Sequence, residues 1–385
     1  MGTDVIVVGL GSMGAATAHQ LASRGLRVVG IDRYRPPHTN GAHAGGSRII
    51  RLAYAEGVAY VPLLRRAYEL WAAIERSSGV DLLTPTGGLM LGRPDSSMVA
   101  GALASARTHG LAHELLDAAQ IRRRFPVFAP RDDEVGVYEE VAGFVRPEAT
   151  VATLLDLAGR AGADLRYGVR ATGWSAGPGG VTVRTDEGEL TAGRLVLCPG
   201  AGAGELIADL NIPLRAERRV QHFWPVADAG FALGRCPIWL WESAAGVVAY
   251  GFPGADPPPG SDRGGLVVKT GVHVDPNAVP RSDLAPAQPA EAARAAEVLT
   301  PLLPALASAG PPDGIPCLYT LTPDEHFVVG PHPRHDSVTV AAGFSGHGFK
   351  FVPVIGEIVA DLAQHGSTRH DISLFAPDRF GQVAA

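Results

Sequence analysis

The stretch "DVIVVGLGSMGAATAHQLASRGLRVVGID", residues 4–32, constrains the fold of this chain more than any other. Val5–Val8 form an unbroken apolar run, the pattern of a strand buried on both faces of a parallel sheet. Good helix formers follow over Ala15–Arg24, and Gly25 is placed to end that helix. Val28–Ile31 then give a second strand finishing at Asp32. Between the first strand and the helix, Gly9, Gly11 and Gly14 complete G-x-G-x-x-G. The first glycine permits the tight turn, the second lets backbone approach a pyrophosphate, and the third lets the helix pack closely on the strand. Phosphate then rests on the helix N-terminus, where free N–H groups and the helix dipole favour negative charge. Asp32 stands where a carboxylate can accept the ribose hydroxyls. The unit predicts an α/β protein with a Rossmann-like dinucleotide-binding domain. The acid argues against a 2′-phosphate and does not separate NAD from FAD.

The rest of the chain narrows the class. Its 385 residues suffice for two domains, and 46% hydrophobic with 19% charged residues is ordinary for a soluble globular enzyme. A net charge of −6 without a basic run does not suggest nucleic-acid binding. No run approaches bilayer length, and the apolar residues 5–8 lead into glycines rather than a signal sequence, so no membrane partner and a cytoplasmic location are expected. Cys198, Cys236 and Cys317 are too few and too scattered for a disulfide framework or a zinc cluster, so no metal is expected. Cys198 and Cys236 read as small buried apolar residues.

Residues 58–76 predict an amphipathic helix with Leu64, Tyr68 and Trp71 on its core face. A helix over 148–160 leads into a meander with a hairpin at "TDEGE", and residues 218–275 carry several strand patterns. "PGADPPPGSDRGG" reads as a surface loop. Residues 285–308 are alanine-rich and read as helical, and a closing helix spans 354–365. In "GLVVKTGVHV", strand alternation puts Lys269, Gly271 and His273 on one face, and Val268, Thr270 and Val272 on the other. A lysine and a histidine flanking a glycine leave room for a ligand. Arg48 and Arg51, three apart in "SRIIRL", sit among apolar neighbours rather than in a solvated charge cluster.

The blocks "GLGSMGAATAHQLA", "PPHTNGAHAGGSRIIRLAYAEG", "GFVRPE", "YGFP", "KTGVH", "CLYTLTPDEHFVVG" and "GFSGHGFKF" cover nearly the whole chain. Through them it resembles the monomeric sarcosine oxidase and N-methyltryptophan oxidase family, flavoenzymes that oxidise secondary amino acids. The resemblance implies FAD, joined through its 8α-methyl carbon to Cys317; such a thioether needs a thiolate near positive charge. It implies a discontinuous FAD-binding domain (1–85, 145–217 and 320–385) and a mixed-sheet substrate domain (86–144 and 218–319). It puts Arg48 against the flavin ring, His43 and Ser47 near it, and Lys269 over it, promoting the reaction of reduced flavin with oxygen. Arg51 and Lys350 fall at the substrate carboxylate, an arrangement suited to an anion held away from water. His273, Tyr250 and Tyr319 fall on the substrate pocket, and Gly346, His347 and Gly348 at the flavin or the carboxylate. Either arginine, Arg51 above all, also reads as a structural ion-pair partner, and the two tyrosines read equally well as wall residues.

The activity so implied is oxidation of a sarcosine-like secondary amine by a monomer, with O2 as acceptor, giving imine or aldehyde plus amine and hydrogen peroxide. Within the family, cyclic substrates such as pipecolate or proline and bulky N-methyl aromatic amino acids compete. From other classes, an NAD-dependent dehydrogenase and a non-catalytic flavin-binding module are the rivals. Two departures bear on substrate choice: Ala44 and Gly46 stand where the family usually has a histidine and an acid. The 254–264 loop is also longer than the family leads one to expect.

Overall fold

The computed structural model describes residues 2–254 and 265–381. Its first sheet has the strands Thr3–Val8 and Val28–Asp32 side by side and parallel, as the opening motif requires. Gly188–Leu197 pairs with the other edge of Thr3–Val8 and His335–Ala342 joins beyond it, both in parallel. Val5, Ile6 and Val7 are fully buried, so neither face of this strand meets water. The first helix, Ser12–Ser23, begins earlier than its helix formers alone suggest, because Gly11 serves as its N-cap. It is covered by the helices Pro147–Arg160 and Val352–His365. The latter comes so close that a Cβ on Gly356 would lie 2.7 Å from the Ala16 methyl. A Cβ on Gly14 would lie 1.7 Å from the Gly9 carbonyl oxygen, which gives the third glycine of the motif its packing reason.

The second sheet is mixed, with eight strands in the order Asp313–Leu321, Arg215–Val226, Leu266–Val274, Val248–Gly251, Ile238–Glu242, Gly88–Gly92, Val135–Glu139 and Glu114–Asp117. Three of these build the site: the spine strand Arg215–Val226, with the cysteine strand Asp313–Leu321 and the lysine strand Leu266–Val274 antiparallel on either side. Gly143–Val145 ties Arg48–Ile50 to Leu83–Pro85 in a small third sheet. One face of the second sheet carries a core that includes Trp224, Trp239 and Trp241, all buried, so the tryptophans are packing residues. Cys198 and Cys236 are buried too.

Residues 58–76 form a short 3-10 turn and the helix Val61–Ser78, with Leu64 and Trp71 inward. Of the alanine-rich segment 285–308, only Pro289–Leu299 is α-helix and Pro304–Ser308 a 3-10 turn. Pro301 and Pro304 have no N–H to continue the helix. Ahead of it, the Arg218 guanidinium takes the carbonyls of Asp283, Ala285 and Pro286, which holds that stretch extended. Residues 255–264 of the long loop lie outside the described residues. Among the described residues no helix is long and apolar enough to cross a membrane.

Candidate active site

Two cavities meet at Arg48, Tyr319, Gly346 and Phe349. The larger, about 460 Å³, begins at Gly9, Gly11 and Asp32, passes His38 and His43, and ends at the turn Gly346–Phe349. Several features suit it to a dinucleotide. No side chain caps the first helix, so the N–H groups of its first turn face the cleft. A Cβ on Gly11 would have only His43 Nδ1 near it, at 4.0 Å, so this backbone lies open to a ligand. Asp32 lines the cavity while accepting from the N–H groups of Leu10 (2.7 Å) and Tyr34 (2.8 Å), which leaves lone pairs for hydroxyls. Gly14 lies behind this wall, in contact with Gly9.

The smaller cavity, about 80 Å³, gathers most of the residues expected at a substrate: Arg51, Tyr250, His273, Tyr319, His347 and Lys350, with Cys317 at the same wall. Alternation along the lysine strand delivers His273, whose Nδ1 is 3.2 Å from the Tyr319 hydroxyl. Gly346 adopts φ +77°, and a Cβ there would fall 2.2 Å from the Tyr319 ring, so the turn needs glycine. A Cβ on Gly348 would crowd Phe344 in the same way. Burial holds the His273 imidazole at about 4, that of His347 at about 3 and that of His43 at about 4, so all three rings are neutral near pH 7. Burial also pushes the Tyr250 phenol up to about 12.

Arg51 is buried and pairs with Glu56 at 2.7 Å, a partner absent from the expected set. Burial alone would raise the Glu56 carboxyl, but Arg51 and other nearby groups hold it at about 2. Burial brings the Lys350 ammonium down to about 7 against the pull of Glu56. Its Nζ donates to the His347 carbonyl (2.8 Å) and reaches Tyr54 Oη at 3.4 Å; that hydroxyl lies 2.5 Å from His347 Nδ1. Glu56 is thus ion-paired to Arg51 and attracts Lys350, with all three lining the same cavity.

Lys269 is buried beside the junction and lines neither cavity. Its Nζ donates to the carbonyls of Gly45 (2.8 Å) and Ser47 (2.7 Å) and lies over the Phe252 ring. Burial first and Arg48 second drive it well below the ordinary lysine value. Ser47 sits behind this lysine, its hydroxyl 3.2 Å from Nζ, rather than on a cavity wall. Arg48 donates to the carbonyls of Ser47, Ala42 and Ala44, and to Gln221 Oε1 at 3.2 Å. Burial raises the Cys317 thiol, while Arg48, Lys269 and Arg219 pull the other way. Glu56, Gln221 and Glu148, whose carboxylate accepts from Gly45 and Gly46, were not anticipated. Their partners lie on other elements, and only Glu56, close after Arg51 in the chain, left a local signal. Asp209, His332 and His335 also bring ligand atoms within 4.8 Å of one another, but Asp209 is paired with Arg334 and His332.

Residues 4–362 match the family described as FAD dependent oxidoreductase (DAO). The chain is 49% identical to a monomeric sarcosine oxidase of Streptomyces avermitilis over 99% of both chains. It is 35% identical to an N-methyl-L-tryptophan oxidase of Salmonella arizonae over 98% of this chain and 99% of that one. Among solved structures it superimposes on NikD, an unusual amino acid oxidase of nikkomycin biosynthesis, with a TM-score of 0.83 at 30% identity, covering 98% of each. With a dinucleotide cleft opening onto a pocket built from its own basic and aromatic residues, the chain belongs to the FAD dependent oxidoreductase family, in the group of monomeric sarcosine and N-methyltryptophan oxidases.

Proposed function

We propose that this protein is an FAD-dependent oxidase of small N-methyl amino acids, with dioxygen as acceptor. The observation that carries the reading is the Arg51–Glu56–Lys350 cluster on an 80 Å³ cavity that opens onto the nucleotide cleft. A substrate carboxylate takes the place of Glu56 on Arg51, with Lys350 beside it, since a bidentate guanidinium suits a carboxylate held away from water. That anchor turns the amine toward the junction of the two cavities, at Arg48 and Tyr319. His273, Tyr250 and Tyr319 shape the wall, and burial keeps the His273 imidazole neutral there. Bound FAD supplies the two-electron acceptor for the C–H bond next to nitrogen and returns those electrons to dioxygen as hydrogen peroxide. The nitrogen must be unprotonated, because its lone pair assists C–H cleavage. The resulting imine hydrolyses to aldehyde and amine. The small cavity favours sarcosine: a large aromatic side chain would require Met98 or Leu240, which line it, to move.

The decisive experiment measures peroxide from purified protein with sarcosine, pipecolate, L-proline and N-methyl-L-tryptophan. Sarcosine should give the highest kcat/KM, and absence of peroxide from every member would end the proposal. Attachment through Cys317 is read separately by acid precipitation: a yellow wild-type pellet and a colourless Cys317→Ser pellet are expected, and a colourless wild-type pellet would refute the tether. We further infer a monomer, on the strength of its relatives' names, checked by sedimentation.

A further inference from the structure

We propose that Glu148 is a positioning residue for the two cations at the junction, Arg48 and Lys269: it folds the 42–47 loop so that the loop's carbonyls hold both. The inference rests on the oxidase reading above. Glu148 lies in the first turn of the helix Pro147–Arg160. Its carboxylate accepts from the Gly45 N–H at 2.6 Å and from the Gly46 N–H at 3.1 and 3.2 Å. Both glycines adopt positive φ, +112° and +80°, which turns two successive amides toward one anion. Their neighbours' carbonyls then point the other way. Those of Ala42, Ala44 and Ser47 receive the Arg48 guanidinium, and those of Gly45 and Ser47 receive Lys269 Nζ.

Two cations so close in a buried site repel each other, and the repulsion favours loss of the lysine proton. The groups acting on Lys269 are Arg48 from the loop's far end, Cys317 from the cysteine strand and Glu148 from the helix, with the rings of Phe223 and Phe252 in between. Glu148 is an acid that opposes the repulsion while touching neither cation. It acts through two peptide groups whose N–H ends it binds and whose C=O ends face the charges. Position 46, being glycine, offers no side-chain charge of its own.

The test uses the holoenzyme reduced photochemically without substrate, then mixed with oxygen across pH 6 to 10. Glu148→Gln keeps an acceptor for the Gly45 N–H and removes the charge. We expect the alkaline midpoint of the oxygen reaction to move down by about one pH unit, a tenfold loss of rate on that limb. A profile that superimposes on wild type, even with a lower unfolding temperature, would mean a purely structural role and overturn the proposal. Should the Gln variant lose its cofactor, Glu148→Asp keeps the charge but withdraws it from the amides; the same downward shift supports the proposal and its absence refutes it. Because no amine is used, a failed oxidase reading shows instead as absence of anaerobic bleaching by sarcosine in the wild type.

Discussion

Arg51 and Lys350 meet the cavity from different elements, and the charge of Lys350 responds to pH near neutrality. Burial brings the Lys350 ammonium down to about 7 in the free enzyme. Free amine increases with pH, so log kcat/KM for sarcosine should climb up to about pH 7. Above that, each gain in free amine is offset by loss of charged Lys350, and the profile should flatten. Lys350→Arg should extend the climb to higher pH; a variant that flattens at the same point would exclude Lys350 as the titrating group. Arg51→Gln should raise KM by about a hundredfold, since it leaves a buried carboxylate without its fork. Equal falls in kcat and kcat/KM at unchanged KM would show that Arg51 serves another step. At this scale, legibility followed sequence distance. Lys269 and His273 could be read because the strand period alone assigns their face. Gln221 and Glu148 could not, since they meet their partners across 173 and 103 residues.

Among the elements, the opening strand–turn–helix separates two uses of glycine. Gly14→Ala drives a methyl onto the Gly9 carbonyl and must push the first helix off its strand, at a cost of about 1–3 kcal/mol or more. Gly11→Ala meets nothing closer than His43. Gly14→Ala should therefore lower the unfolding temperature of the flavin-free chain as well as flavin content, whereas Gly11→Ala should lower flavin content alone. Equal unfolding temperatures in calorimetry would contradict this division. Both positions were legible because the motif is local and each glycine has a separate steric task. The segment 285–308 was misread because helix propensity is weak against tertiary contacts. Arg218 reaches over from the spine strand and recruits the carbonyls that would have started an earlier helix.

At the scale of the whole molecule, acid is the expected weakness. His222 lies on the face of the spine strand away from the cavities, buried beside Trp224, and among the described residues neither ring nitrogen has a partner. Burial depresses its imidazole to about 4, whereas in the unfolded chain it titrates near 6.5. A depressed histidine binds its proton more readily when unfolded, so stability is retained above about 6.5 and lost as pH falls toward 4. His222→Leu should shallow the fall of unfolding temperature between those values; a slope equal to that of wild type would assign the acid sensitivity elsewhere. This histidine was invisible in the sequence because burial of that strand face depends on the distant helix Pro289–Leu299 folding over it.

The spine strand carries Gln221 and Phe223 toward the cavities and Arg218, His222 and Trp224 toward the opposite core. Sliding it by a single residue past its two neighbours would exchange those sets, sending a tryptophan into the cleft and stranding an amide in oil. Sulfur and ammonium are therefore kept apart by hydrogen-bond registration between three ribbons, so the pocket should already have its geometry before any flavin arrives.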